Sequence, residues 1–147
     1  MAIETFKAIS RKLPQGLAVE SEVRGFKVVM DEPKEMGGTD TGMNPVEALL
    51  CALGSCQSIV AAAFAKAKGI DLQGFWVELE GDIDVDGFMG KANVRPGFQE
   101  IRFKMHIKSS SPKEKIDEFV KFIEKTCPVG DSISNGVKLV LADTIVE

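Results

Sequence analysis

The sequence has 147 residues, 44% hydrophobic and 27% charged, which fits one globular domain with a core of its own. Its 18 basic and 22 acidic side chains give a formal net charge of −4, without the basic stripe that contacts to nucleic-acid phosphates require. Three cysteines are too few for a secreted scaffold held by disulfides, so we expect a cytoplasmic protein.

The first segment, residues 1–30, predicts an N-terminal hairpin. Two runs with strand character, Thr5–Ile9 and Ala18–Val29, are separated by the turn signal Leu13-Pro14-Gln15-Gly16. A loop follows at Gly37–Gly42, whose three glycines permit backbone conformations that other residues resist.

A long central helix is predicted over residues 45–68. Asn44 supplies a side-chain N-cap, Pro45 fits the first helical position, and Glu47 stands where a glutamate completes a capping box. Gly69 supplies a left-handed stop at the other end. The apolar surface of this helix is wider than one stripe, so we expect other parts of the protein to enclose it on several sides. The apolar residues are Leu49, Leu50, Leu53, Cys56, Ile59, Val60 and Phe64.

This helix carries no charge from Ala48 to Ala65, which raises the alternative of a membrane span. Polar and small residues, Gly54, Ser55, Gln57 and Ser58, stand in the middle of the run, which is also short for spanning. We therefore expect a buried central helix and no membrane partner.

Two strands with complementary outer faces are predicted next. Between Trp76 and Asp86 apolar residues alternate with acidic ones, and between Ile101 and Lys108 they alternate with basic ones. Two such half-buried strands can pair through opposite charges.

The C-terminal third predicts a helix and a strand. The sequence Ser111-Pro112-Lys113-Glu114 has the form of a capping box and starts a second helix over residues 112–126. A short turn or helix at Val129–Ile133 leads to a final strand, Val137–Val146. The order of elements predicts an α+β fold with antiparallel sheets in a single domain, 1–147.

The cysteines are the first candidates for chemistry. If Cys56 and Cys127 meet in the fold, one thiolate can attack an oxidant to give a sulfenic acid, and the other can condense with it into a disulfide. The alternative is that both are small buried hydrophobes, as free cysteines usually are. Cys51 stands about 140° around the helix from Cys56 and is expected in the core.

A thiolate in the middle of a helix needs a cationic neighbour to lower its pKa. Arg24 is the first candidate and Arg11 the second, because both flank the glycine-rich loop through the hairpin. The alternative is that each is a solvated surface charge, as a single arginine more often is. Glu47 has either an orienting role towards such an arginine or only its capping role. His106 is expected on a strand surface, and the cysteine spacing does not match a metal site.

Five segments in sequence order carry a family resemblance: Asp31-Glu32-Pro33, Gly37–Gly42, Asn44–Leu50, Gly54-Ser55-Cys56 and Cys127-Pro128-Val129. They resemble the OsmC/Ohr family of thiol peroxidases, nearly end to end. The resemblance implies antiparallel sheets wrapped around long central helices in an intertwined homodimer. It also implies reduction of organic hydroperoxides, with Cys56 as the peroxidatic and Cys127 as the resolving cysteine, a dithiol as reductant, and no metal or flavin.

Two departures point towards the divergent OsmC-like members. In the hydroperoxide-resistance branch a glutamate sits two residues after the helix-starting asparagine, where this sequence has Val46, with Glu47 one step later. The activating arginine of that branch has no clear match, since no arginine lies between Arg24 and Asn44. The leading hypothesis is a thiol peroxidase acting on hydroperoxides with an apolar tail. The alternative is a dimeric binding protein for a small apolar or electrophilic ligand, with weak or no peroxidase activity.

Overall fold

The computed structural model describes residues 1–91 and 93–147. The chain divides into two compact units, Met1–Leu49 and Leu50–Glu147. The first contains a three-stranded sheet and the second a two-stranded sheet with most of the helices, and every strand pair is antiparallel. The predicted α+β class with antiparallel sheets is confirmed.

The first unit is built on a meander of three short strands, β1 (Ile9–Lys12), β2 (Val19–Val23) and β3 (Phe26–Met30). The predicted hairpin is present, but the two runs are placed wrongly: β1 begins only at Ile9, and the second run is split in two. The split lies at Arg24-Gly25, where both residues have positive φ, 52° and 86°. A two-residue turn of this kind joins adjacent antiparallel strands and requires that backbone conformation.

The loop after β3 is organised by Asp31, a carboxylate whose residue is only 2% exposed. It accepts hydrogen bonds from the hydroxyls of Thr39 at 2.6 Å and Thr41 at 2.7 Å, and from backbone N–H groups of the same loop. These donors, led by the Thr39 hydroxyl, lower the pKa of Asp31 well below its usual range. The backbone at Gly38 packs tightly against the backbone at Glu32, since a Cβ on Gly38 would lie 2.0 Å from the Glu32 carbonyl oxygen.

Helix α1 (Pro45–Phe64) begins with the predicted capping box. The Glu47 N–H donates to Asn44 Oδ1 at 2.8 Å, and the Asn44 N–H donates to Glu47 Oε2 at 2.8 Å. The helix ends four residues before the predicted boundary of 68, because the chain continues as a turn to Gly69, whose φ is 69°.

In the second unit α1 packs through one face. Its buried residues are Leu53, Gly54, Gln57, Val60 and Ala61, and the core that they join also contains Ile70, Phe119 and Ile123. The helix and strand β4 (Leu72–Ile83) approach closely, since a Cβ on Gly54 would lie 2.7 Å from Leu79 Cδ1.

The expectation that α1 is enclosed on several sides is wrong for the single chain. Leu49, Ile59 and Phe64 are 38%, 68% and 39% exposed, because the described part of the chain covers mainly one face of the helix. By length and composition alone α1 could cross a membrane, with a mean hydropathy of 1.6. The core helix of a soluble protein has the same properties.

Strand β4 pairs with β5 (Phe98–Ser109), as the complementary charges of the two strands predict. Glu78 faces Lys104 and Glu80 faces Arg102, and the Arg102 guanidinium contacts the carboxylates of Glu80 at 2.9 Å and Asp82 at 2.7 Å. The predicted alternation ends earlier than expected, because the chain leaves the strand and forms the short helix α2 (Val85–Phe88).

Helices α3 (Lys113–Thr126) and α4 (Pro128–Asn135) follow, close to the predicted positions. The capping box expected at Ser111 is wrong: Pro112 is the N-cap residue, and the Ser111 hydroxyl instead accepts the backbone N–H of Asp71 at 2.9 Å.

The predicted final strand, Val137–Val146, is also wrong for the single chain. Residues 137–147 have no regular secondary structure and are exposed throughout. A strand needs a neighbouring strand to satisfy its backbone groups, and in the described residues the sheets contain only β1 to β3 and β4 with β5.

Candidate functional site

Cys127 occupies the junction between α3 and α4. It is the C-cap of α3, where its N–H donates to the Ile123 carbonyl at 3.0 Å, and also the N-cap of α4. Its Sγ accepts the Gly130 N–H at 3.3 Å, because Pro128 starts α4 directly after the cysteine. The residue is only 1% exposed.

Cys56 lies on α1, half-buried, and packs against the core of the second unit. Its thiol lies close enough to Cys127 to raise the pKa of that residue, so two cysteines distant in sequence share one site. Burial raises the pKa of Cys127, and the neighbouring Cys56 thiol raises it further, while the N–H groups of Gly130 and Val129 oppose the shift. Cys127 is therefore a protonated thiol at neutral pH.

A cavity of about 480 Å³ lies beside this pair, and we call it the Cys127 cavity. Its wall contains Cys127 and Gln57 together with the apolar side chains of Leu53, Ile101 and Ile133. Charged groups border it as well, namely Arg95, Glu100 and Glu124. It therefore combines apolar side chains with several polar and charged groups that a small molecule could contact.

Gln57 is the unusual polar residue of this wall. It is 2% exposed, and its Oε1 is buried with no hydrogen-bond partner among residues 1–91 and 93–147. An unpaired buried amide oxygen is costly and calls for an explanation, such as a bound group that donates to it.

Sequence reasoning missed Gln57 and Arg95 as members of the site. Gln57 follows Cys56 directly, so its position on the same helix was a signal, but a glutamine at one position gives no sign of burial. Arg95 stands in an irregular glycine-containing segment, where no periodicity indicates what its side chain faces.

Two further predictions concern Cys51, whose predicted place in the core is wrong, and His106, which lies on a strand as expected. Cys51 is exposed rather than in the core, because it falls outside the buried face of α1. His106 is engaged across the strands, with Nε2 2.6 Å from Glu78 Oε2 and the ring stacked on Trp76 at 3.8 Å. Among the described residues, no group of three or more His, Cys, Asp or Glu side chains is arranged to hold a metal ion.

Comparison with known proteins assigns the family. Residues 38–142, which include both Cys56 and Cys127, match the model of the OsmC-like protein family. The chain belongs to the OsmC-like family. The resemblance read from the sequence motifs is thereby confirmed.

The curated relatives of this OsmC-like chain include a hydroperoxide reductase of Mycoplasma genitalium, 29% identical over 127 residues, which are 82% of this chain and 83% of that protein. The hydroperoxide reductase of Mycoplasma pneumoniae is 29% identical over 112 residues, 74% and 72% of the two chains.

Solved structures show the same fold. The OsmC-like protein from Mycoplasma pneumoniae superposes with a TM-score of 0.77 at 23% identity, covering 89% of this chain and 88% of that one. An organic hydroperoxide resistance protein OsmC from Legionella pneumophila gives a TM-score of 0.67 at 20% identity, over 90% and 91%.

The remaining predicted site residues of the OsmC-like chain, Arg24, Arg11 and Glu47, belong to the first unit, Met1–Leu49. The Arg24 guanidinium lies over the Phe26 ring at 5.3 Å, and Arg11 pairs with Glu22 at 3.6 Å. Glu47 is engaged in the capping box. Each side chain thus has a local partner, and its role towards Cys56 stays a prediction.

Proposed function

We propose that this OsmC-like protein is a cysteine-based peroxidase that reduces organic hydroperoxides. The observation that carries the proposal is the direct neighbourhood of the Cys56 and Cys127 thiols, which is what a peroxidatic and resolving pair requires. The two curated relatives named hydroperoxide reductase support the same reaction.

The reaction has three steps. The Cys56 thiolate attacks the terminal oxygen of the hydroperoxide, the O–O bond breaks, and the alcohol leaves after taking a proton, so that Cys56 becomes a sulfenic acid. Cys127 then attacks the Cys56 sulfur, forming the disulfide and releasing water. A dithiol reopens the disulfide and is itself oxidised to a disulfide. We propose the cytoplasm as the setting, because its reducing poise supplies such dithiols.

The difference between the two thiols supports this order. Cys127 is buried and its raised pKa keeps it protonated, so it is a poor first nucleophile. Cys56 is more exposed and can meet a substrate. We assign Arg24 as the cation that favours its thiolate and Glu47 as the group that orients that arginine, with Arg11 as the second candidate.

A turnover assay with purified reduced protein tests the proposal. With dithiothreitol as reductant, we expect consumption of cumene hydroperoxide to be faster than that of hydrogen peroxide, because the apolar residues packed around Cys56 favour a substrate with an apolar tail. Cys56→Ser abolishes turnover of both. Cys51→Ser is the matched control, since Cys51 is an exposed cysteine on the same helix, and it retains activity.

Equal, background-level consumption by the native protein and Cys56→Ser would contradict the proposal. That outcome would leave the binding-protein alternative, in which the OsmC-like fold holds a small apolar or electrophilic ligand. Val46, which stands where the hydroperoxide-resistance branch has a carboxylate, is the residue that favours this alternative.

We also propose that the protein is a homodimer. Apolar side chains of the C-terminal segment are almost fully exposed in the single chain, Leu139 at 93%, Leu141 at 82% and Val146 at 90%, and the uncovered face of α1 adds Ile59. Exposed apolar surface of this extent marks an interaction site. Light scattering in solution should give twice the monomer mass of 15.9 kDa, and a monomeric mass would refute the dimer.

A further inference from the structure

The Cys127 cavity touches one sulfur of the cysteine pair. Among the described residues that form its wall, Cys127 is present and Cys56 is not. A molecule in this cavity therefore meets the pair from the side of Cys127. The oxidative steps proposed above take place at Cys56, so they leave this cavity without a use.

We propose that the Cys127 cavity is the binding site of the reductant, a small aliphatic dithiol, which attacks the Cys127 sulfur of the Cys56–Cys127 disulfide. The inference rests on the proposed function. A thiolate of the reductant bonds to Cys127, the disulfide breaks, and Cys56 leaves as a thiolate with the electron pair. The second thiol of the reductant then attacks the reductant's own sulfur in the mixed disulfide, Cys127 leaves and takes a proton, and the reductant departs as a cyclic disulfide.

The chemistry of the leaving group favours the same direction of attack. In thiol–disulfide exchange, the thiol with the lower pKa leaves faster. Burial raises the pKa of Cys127, so Cys127 is a slow leaving group when Cys56 is attacked. Attack on Cys127 expels Cys56, the sulfur that the peroxidase cycle needs as a thiolate for its next turn.

Gln57 gives the cavity a means of recognition. Its buried Oε1 lacks a partner in the described chain, and a thiol or hydroxyl group of the reductant can donate to it. The apolar side chains of Leu53 and Ile133 in the same wall suit the methylene groups of such a molecule.

Trapping the mixed disulfide tests which sulfur is attacked. The Cys56–Cys127 disulfide is prepared with diamide, which needs no peroxidase activity, in a Cys51→Ser background. The protein is then exposed briefly to 2-mercaptoethanol and quenched with N-ethylmaleimide. Peptide mass spectrometry should find mercaptoethanol on Cys127 and maleimide on Cys56. The reverse pattern would overturn the inference and leave the peroxidase proposal intact, whereas failure of the disulfide to form would overturn both.

A matched pair of serines on α4 tests the cavity itself. Ser134 lines the cavity, while Ser132 on the same helix donates its hydroxyl to the Pro128 carbonyl at 2.8 Å, and both are exposed. Ser134→Trp should slow reduction of the diamide-formed disulfide by dithiothreitol about tenfold or more, with Ser132→Trp close to the native rate. Ser132→Trp should also react with cumene hydroperoxide at the native rate. Equal reduction rates in the two variants would refute the assignment of the cavity.

Discussion

Asn44 and Glu47 cap helix α1 reciprocally: each accepts the backbone N–H of the other at 2.8 Å. This pair fixes where the helix that carries Cys56 starts. The carboxylate of Glu47 thus has a structural task besides the orienting role that we propose for it. The two roles make different demands on the side chain, because a cap needs an acceptor and an arginine partner needs a charge.

Glu47→Gln separates these roles. Glutamine also serves in a capping box, so we expect the free energy of unfolding to stay near the native value, whereas Glu47→Ala should lower it by about 0.3 to 1.5 kcal/mol. Both variants should reduce kcat/KM for cumene hydroperoxide about tenfold or more, because the arginine loses its orientation. Urea unfolding and steady-state kinetics measure the two effects. Native kcat/KM in Glu47→Gln would restrict Glu47 to capping.

Arg24→Ala should slow the peroxidase reaction by leaving the Cys56 thiolate without its cation. We expect iodoacetamide to alkylate Cys56 more slowly in this variant than in the native protein, because a nearby cation favours the reactive thiolate. The rate of alkylation is measured at pH 7 in a Cys51→Ser, Cys127→Ser background. Arg11→Ala is the comparison, and a larger effect there would exchange the two assignments.

Asp31→Asn should weaken the fold at neutral pH, because the loop donors lose the charge that they surround. The folded pKa of Asp31 lies below its unfolded value. Its contribution to stability is therefore present above about pH 4 and is lost as the pH falls through the folded pKa. Urea unfolding between pH 3 and pH 7 should show a shallower acid dependence in the variant. Asp40→Asn, at an exposed neighbour, should behave like the native protein.

Closure of the disulfide should accelerate with pH. Cys127 attacks as a thiolate, and its raised pKa keeps the thiolate a small fraction at neutral pH. After rapid oxidation by cumene hydroperoxide, the rate of Cys56–Cys127 formation should rise about tenfold per pH unit between pH 7 and pH 9. Acid quenching and mass spectrometry give this rate. A closure rate independent of pH would mean that a preceding conformational step is slower than the chemistry.

Local patterns in the sequence predicted much of the fold. The alternation of apolar and charged residues predicted two strands with complementary outer faces, since a period of two fixes which side chains share a face, and in the structure Glu80 lies opposite Arg102. The capping box at Asn44 and the glycine stop at Gly69 were predicted for equally local reasons.

Features that depend on a rare backbone conformation or on distant parts of the chain were predicted less well. The split between β2 and β3 rests on left-handed φ at Arg24, a non-glycine residue that seldom adopts it. The β-rich segment Val137–Val146 has the composition of a strand, but pairing depends on an available neighbour and not on composition. Ser111 does not cap helix α3, because its hydroxyl instead accepts the backbone N–H of Asp71.

The candidate site shows the same division. Cys56 and Cys127 were predicted from their motifs, and the fold brings them together because α1 packs beside the junction of α3 and α4 in one unit. Gln57 and the Cys127 cavity were not predicted, since burial of a single polar side chain depends on what the folded chain places around it.

The most direct test of the account is mass spectrometry of the reduced protein after one equivalent of cumene hydroperoxide. We predict a rapid loss of two hydrogen atoms, about 2 Da, that maps to a Cys56–Cys127 disulfide. In Cys127→Ser, Cys56 should instead gain one oxygen atom as a sulfenic acid. A native protein that stays fully reduced over the same time would contradict the account and leave an OsmC-like fold without peroxidase chemistry.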